Sequence, residues 1–165
     1  MAKKVPRRFA KNARPSSKDG ETMNDFPIRV GDEVTFSKTV SESDVYLFAG
    51  ITGDLSPNHV NEEYMQKTRY GRRIVHGALL VGYMSNCSTA LCARVHSPNE
   101  TPVSLGYDRV RFIAPVFIGD TITVTYRVTE IDALKRESRA EVRVIARGEL
   151  CAIATHILRW VSNDG

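Results

Sequence analysis

Between positions 53 and 80 the chain reads Gly53-Asp54-Leu55-Ser56-Pro57-Asn58-His59 and then, past Tyr64, Gly71 and Ile74, His76-Gly77-Ala78-Leu79-Leu80. A carboxylate and an imidazole on one short loop can hold a water between them. Histidine's ordinary pKa lies nearest neutrality, so such a pair exchanges protons easily in either direction. A glycine at the start of an apolar helix adds a third group, because the first N–H groups of a helix lack intrahelical acceptors and lie at the positive end of its dipole. Together these are the needs of adding water across a double bond conjugated to a thioester. A base deprotonates the water, an acid protonates the α-carbon, and a donor stabilises the enolate oxygen. Positioned acid/base groups typically contribute about 10²–10⁴-fold each, and an oxyanion donor roughly 3–4 kcal/mol.

Each residue also has a plainer reading. A lone Asp54 is a helix-end or turn aspartate, and a lone His59 is a structural loop histidine. His76 reads as a helix-start residue that shapes the turn rather than as a third catalyst. Zinc held by Asp54, His59 and His76 is conceivable by residue type, but the loop lacks a recognisable ligand spacing, so neither metal nor other cofactor is expected. His96 and His156 read as surface or sheet residues without an arguable role. Leu79, Leu80, Tyr83 and Met84 read as core rather than as a cofactor box.

The elements that must hold these residues follow from periodicity. Val34, Phe36 and Val40 alternate in a strand from Val30 to Val40, led by the turn Gly31-Asp32. Ser41 and Asp44 form a capping pattern ahead of an apolar stripe of Val45, Leu47, Phe48 and Ile51, so a helix runs over Glu42 to Thr52 and Gly53 ends it. Asp54 to Val60 reads as a loop, with a short helical piece over Asn61 to Thr68. His76 to about Val95 carries apolar residues at spacings of three and four and reads as a long buried helix. Glycine inside a helix costs roughly 1 kcal/mol relative to alanine, so Gly77 and Gly82 suggest close neighbours there. Strands follow at Val103 to Phe112, Thr121 to Val128, Arg139 to Arg147 and Cys151 to Val161. An antiparallel sheet around a central helix accommodates this order.

Composition narrows the classes further. The 165 residues suit one domain with a real core. No apolar run reaches the length of a membrane span, and no secretory signal is visible. Cys87, Cys92 and Cys151 include no CxxC pair and read as reduced, packed thiols. The net charge of +4 is uneven, since seven of the 23 basic residues fall within positions 1–18 without an acid, leaving 16 against 19 acids. Residues 1–26 therefore read as a basic, solvated arm and 27–165 as the domain. Nucleic acid is not an expected partner. Organelle targeting by the Arg-rich arm stays open, although its prolines interrupt an amphipathic helix.

A helix ending in Thr52-Gly53-Asp54, a proline shortly before a histidine five residues beyond the aspartate, and His76-Gly77 opening an apolar helix together resemble the MaoC-like (R)-specific enoyl-CoA hydratases and dehydratases. The resemblance runs from about Val30 to Trp160. It implies an α+β single hot-dog fold, an antiparallel sheet wrapped around a long central helix. It also implies Asp54 and His59 as the catalytic pair, Gly77 as the backbone donor to the thioester oxygen, His76 beside it, and Ser85 as a hydroxyl on the same helix near the pair. Family members usually have asparagine before the loop proline and an aliphatic residue after it, whereas this chain has Ser56 and Asn58. The implied reaction is reversible hydration of a trans-2-enoyl thioester, on coenzyme A or a carrier protein, to the (R)-3-hydroxyacyl thioester. A cytoplasmic homodimer or higher homo-oligomer is expected, since free sheet edges call for a partner. A hot-dog thioesterase and a non-catalytic acyl-thioester-binding subunit remain alternatives.

Overall fold

The computed structural model describes residues 26–95 and 97–164. Five antiparallel strands form one sheet: β1 (Glu33–Thr39), β2 (Glu100–Phe112), β3 (Thr121–Asp132), β4 (Glu137–Ala146) and β5 (Glu149–Ser162), in the spatial order β1-β3-β4-β5-β2. Between β1 and β2 lie four helices: α1 (Glu42–Thr52), α2 (Pro57–Val60), α3 (Glu62–Gln66) and α4 (Gly77–Cys92). The expected hot-dog arrangement is present, with α4 packed across β1, β3 and β4. The basic arm falls outside the described residues except for Phe26, and so does His96.

Alternation builds the core. Ile122, Val124, Tyr126 and Val128 of β3 and Ala140, Val142, Val144 and Ala146 of β4 are all buried, while their neighbours in sequence face away. Helix α4 meets this face with Leu80, Met84, Cys87, Ser88 and Leu91, spaced as one side of a 3.6-residue period. Fully burying each large apolar side chain of this kind contributes about 1.5–3 kcal/mol. His156, expected to be unremarkable, is wholly buried within this sheet. Its Nδ1 lies 2.8 Å from the Tyr126 hydroxyl, its Nε2 lies 2.8 Å from Ser104 Oγ, and its ring stacks on Tyr107 with centroids 4.4 Å apart.

Several expectations need correction. The bounds of α1 match, and its capping box is present: the Asp44 N–H donates to Ser41 Oγ at 3.2 Å and the Ser41 N–H donates to Asp44 Oδ2 at 2.8 Å. Its buried face, however, is Val45 and Ala49, whereas Leu47 and Ile51 are 65% and 84% exposed. Only one narrow side of α1 is covered among the described residues, so half of the apolar stripe stays exposed. The supposed loop over Asp54 to Val60 contains α2, because Pro57 at the first helical position has no N–H to lose and a φ already suited to a helix. Gly82 has no close neighbour, since nothing lies within 4 Å of where a Cβ would be. Gly77 does.

Candidate active site

Helix α1 ends at Gly53, whose left-handed φ of 77° turns the chain sharply into Asp54. Thr52 Oγ1 donates to the Phe48 carbonyl at 2.7 Å and accepts the Asp54 N–H at 3.2 Å, which fixes the backbone of the aspartate. Helix α2 then carries His59. The segment that faces it is held by Arg73, which donates to Glu42 Oε1 at 2.5 Å, to Glu62 Oε2 at 2.8 Å and to the Tyr46 hydroxyl at 2.8 Å. These bonds tie α1 and α3 to the stretch leading into α4. Ile74 is joined to α2 through its N–H, which donates to the Asn58 carbonyl at 3.0 Å.

The carbonyl of Ile74 sets the state of His59. It lies 2.8 Å from His59 Nδ1 and can only accept, so Nδ1 carries the proton. The lone pair of the neutral ring is therefore at Nε2, which accepts from Asn58 Nδ2 at 3.1 Å. Burial lowers the pKa of His59 below its usual 6.5, opposed by the Ile74 hydrogen bond; nearby His76 lowers it further and the Asp54 charge raises it. Asn58, one of the two departures from the family pattern, thus contacts the proposed base directly. Ser56, the other, bonds Asn58 Oδ1 through its hydroxyl and fixes which way the amide faces.

His76 caps the start of α4 and is 1% exposed. Its Nε2 donates to the Asp54 carbonyl at 3.0 Å, its ring stacks on His59 with centroids 3.7 Å apart, and Phe48 packs against it at 4.9 Å. His76 thus touches both Asp54 and His59. The Asp54 side chain is half exposed, with Oδ2 4.0 Å from His76 Nε2. Asp54, His59 and His76 each place one ligand-capable atom within 4.8 Å of the others. The fold therefore gathers a set that sequence spacing does not display. One nitrogen of each imidazole already donates to a carbonyl, Nδ1 of His59 to Ile74 and Nε2 of His76 to Asp54, which leaves one lone-pair nitrogen on each ring. Asp54 and His59 share no direct hydrogen bond. Their separation is one that a single water can bridge.

Beside His59 opens a pocket of about 350 Å³, walled by the start of α4 (Gly77, Ala78, Leu80), by Tyr70 and Ile74, and by the Phe112–Val116 segment. Gly77 is the first residue of α4, so its N–H has no acceptor within the helix, and Gly77 lines this pocket. A Cβ on Gly77 would lie 2.6 Å from the Phe112 ring, well inside contact distance. Ser85 is placed differently. It lies two helical turns beyond Gly77, about 12 Å along the axis. It is exposed, it does not line the pocket, and it makes no hydrogen bond to Asp54 or His59 among the described residues. The Phe112–Val116 wall and the Ile74 carbonyl were absent from the expected site. The run Ile113-Ala114-Pro115-Val116, apolar and broken by proline at a strand end, is the signal that could have marked that wall.

Residues 25–149 match the model of the family described as MaoC like domain. The chain belongs to the MaoC-like family. A similar protein is the (R)-specific enoyl-CoA hydratase of Rhodospirillum rubrum, 44% identical over 102 residues that cover 62% of this chain and 67% of the relative. The 3-hydroxybutyryl-CoA dehydratase of Methylorubrum extorquens is 36% identical over 112 residues, 68% of either chain. Among solved structures, the (R)-hydratase from Aeromonas caviae involved in PHA biosynthesis superposes with a TM-score of 0.72 at 26% identity, covering 80% of this MaoC-like chain and 96% of that one. No helix among the described residues is long and apolar enough to cross a membrane.

Proposed function

We propose that this MaoC-like protein hydrates trans-2-enoyl thioesters reversibly to (R)-3-hydroxyacyl thioesters, with Asp54 and His59 as its acid/base pair. The observation that carries the reading is a His59 whose Nδ1–H is held by the Ile74 carbonyl, leaving its lone pair at Nε2, with a ring nitrogen within 4.8 Å of an Asp54 carboxylate oxygen, a gap that one water spans. In the forward direction that water loses a proton to the pair as its oxygen bonds the β-carbon. The π electrons move to the thioester oxygen, which accepts from the Gly77 N–H. Collapse of the enolate takes a proton back from the pair at the α-carbon. Atoms and charge balance without a cofactor. Two of the similar proteins, one named a hydratase and one a dehydratase, are consistent with one reversible step, and the (R) outcome rests on the name of the first. Ser85, exposed farther along α4 and outside the pocket lining, is given no part in this step.

The protein is further proposed to act as a homodimer in the cytoplasm. Strand β2 spans 13 residues at the sheet edge, pairs among the described residues only with β5, and is largely exposed on both faces. A long edge of this kind pairs with another strand unless it is blocked. Its last residue, Phe112, lines the pocket, so pairing there would also complete the site's surroundings.

The test is the loss of the conjugated enoyl-thioester absorbance of crotonyl-CoA with purified protein, followed by chiral analysis of the product. Enzyme-dependent formation of (R)-3-hydroxybutyryl-CoA is expected. Release of free thiol instead would establish a thioesterase, and binding without turnover a non-catalytic subunit; either overturns the proposal.

A further inference from the structure

Asp54 and His59 are joined indirectly, by a chain of three hydrogen bonds through residues that the hydration step leaves unused. The Ser56 N–H donates to Asp54 Oδ1 at 3.4 Å, the Ser56 hydroxyl donates to Asn58 Oδ1, and Asn58 Nδ2 donates to His59 Nε2 at 3.1 Å. Ser56 stands just ahead of α2, where a serine hydroxyl usually caps the helix, yet its side chain makes no capping bond. The hydroxyl is directed to Asn58 instead. The Asn58 backbone is held as well, since its carbonyl accepts the Ile74 N–H at 3.0 Å, while the Ile74 carbonyl accepts from His59 Nδ1 at 2.8 Å. Both ring nitrogens of His59 are thereby engaged by Asn58 and Ile74, and all three residues line the pocket.

The Ile74 carbonyl dictates the direction of every bond in this chain. It can only accept, so Nδ1 carries the proton and the lone pair is at Nε2. The Asn58 amide must then turn its NH₂ to the ring and its oxygen to Ser56, whose hydroxyl donates. A proton on Nε2 reverses these demands, because an imidazolium N–H would face an amide N–H, donor against donor. Turning the amide over removes the conflict: Oδ1 accepts from Nε2, and Nδ2 donates to Ser56 Oγ. A hydroxyl permits this because it both donates and accepts. Burial and His76, at the start of α4, lower the pKa of the ring, and the Ile74 hydrogen bond and Asp54, just after α1, raise it. None of these groups depends on which way the amide faces.

We infer that Asn58, with Ser56 behind it, is a positioning residue for His59 whose amide follows the proton, presenting Nδ2 to the neutral ring and Oδ1 to the protonated one. The inference rests on the hydratase reading of the Asp54–His59 pair. In the resting site the amide holds Nε2 and so fixes the ring. Water takes that place, its O–H bond breaks as the Nε2–H bond forms, and its oxygen goes to the β-carbon. The reversed amide then accepts the new N–H until the α-carbon takes the proton. Neither protonation state of His59 leaves Nε2 without a partner.

The test joins a titration that needs no substrate to kinetics that do. The full chain, isotope-labelled at histidine, is titrated by NMR, and crotonyl-CoA hydration is measured across the same pH range. Asn58→Asp offers oxygen on both sides and can only accept, so the midpoint of His59 rises by at least about one pH unit, and the acid limb of kcat/KM rises with it. Asn58→Leu removes the amide, and kcat falls about tenfold while KM changes less than about threefold. Ser56→Ala lowers kcat in the same direction, and Ser56→Thr, which keeps the hydroxyl, restores it. Melting temperatures close to that of the unaltered protein show that the variants fold. An unmoved His59 midpoint in Asn58→Asp overturns the inference, as does full kcat in Asn58→Leu or a Ser56→Thr variant no better than Ser56→Ala. Absence of hydration by the unaltered protein would instead sink the hydratase reading, and the His59 titration would still decide whether the amide answers to the ring.

Discussion

Replacing Gly77 by alanine tests whether the start of α4 has to lie close to the pocket wall. The added Cβ would stand 2.6 to 2.8 Å from three atoms of the Phe112 ring, whereas ordinary contact begins near 3.4 Å, so the ring or the helix start must give by about 0.8 Å. Phe112 is 55% exposed and can swing, and alanine is the better helix former, so global stability should change by no more than about 1 kcal/mol in either direction. The pocket should suffer more. A displacement near 1 Å at a group that positions the substrate can cost about 10²-fold, so kcat/KM for crotonyl-CoA is expected to fall roughly 10- to 100-fold with little change in melting temperature. The double variant Gly77→Ala/Phe112→Ala removes the obstructing ring and should recover much of that loss. Steady-state hydration by the two variants, with thermal melts alongside, decides it. Wild-type kinetics in Gly77→Ala, or no recovery in the double variant, refutes the close-packing argument.

Two further outcomes concern protons. Since burial holds His59 below 6.5, it is neutral at pH 7, and kcat/KM should stay level down to about pH 6.5 and fall only below it; a decline beginning above pH 7 would show that His59 is protonated in the working enzyme. His156, pushed down to about 4 by burial, takes up a proton more readily in the unfolded chain, so its contribution is complete above pH 6.5 and is lost as pH falls toward 4. At pH 5 the loss is about 2 kcal/mol, or roughly 4–8 °C in melting temperature. His156→Gln should flatten that part of the melting-temperature profile, and an unaltered slope would mean that other groups carry it.

Much of the frame is legible in local pattern. Period-two alternation marks β1, β3 and β4, and the Ser41–Asp44 capping box with Gly53 marks both ends of α1, because these signals depend on neighbours along the chain. Tertiary facts are less accessible. Leu47 and Ile51 have the spacing of a buried stripe, but only the Val45–Ala49 side is buried. Gly77 and Gly82 look alike in sequence, yet only Gly77 meets the end of β2, some 35 residues away. The chemistry of Asp54 and His59 can be suspected from residue type and spacing. What fixes the tautomer of His59 is the Ile74 carbonyl, a backbone group that no side-chain pattern reveals. His156 shows the reverse case: an isolated histidine in a strand pattern carries no mark of the Tyr126, Ser104 and Tyr107 partners that the sheet register brings to it.

The central claim is that Asp54 and His59 act together on one water. The most direct measurement is the rate of crotonyl-CoA hydration by Asp54→Asn and His59→Ala at saturating substrate, with thioester binding measured on the same preparations. Each variant is expected to lose at least about 10²-fold in kcat while binding the thioester nearly as well as the unaltered protein. Near-normal turnover in either folded variant would contradict the assignment.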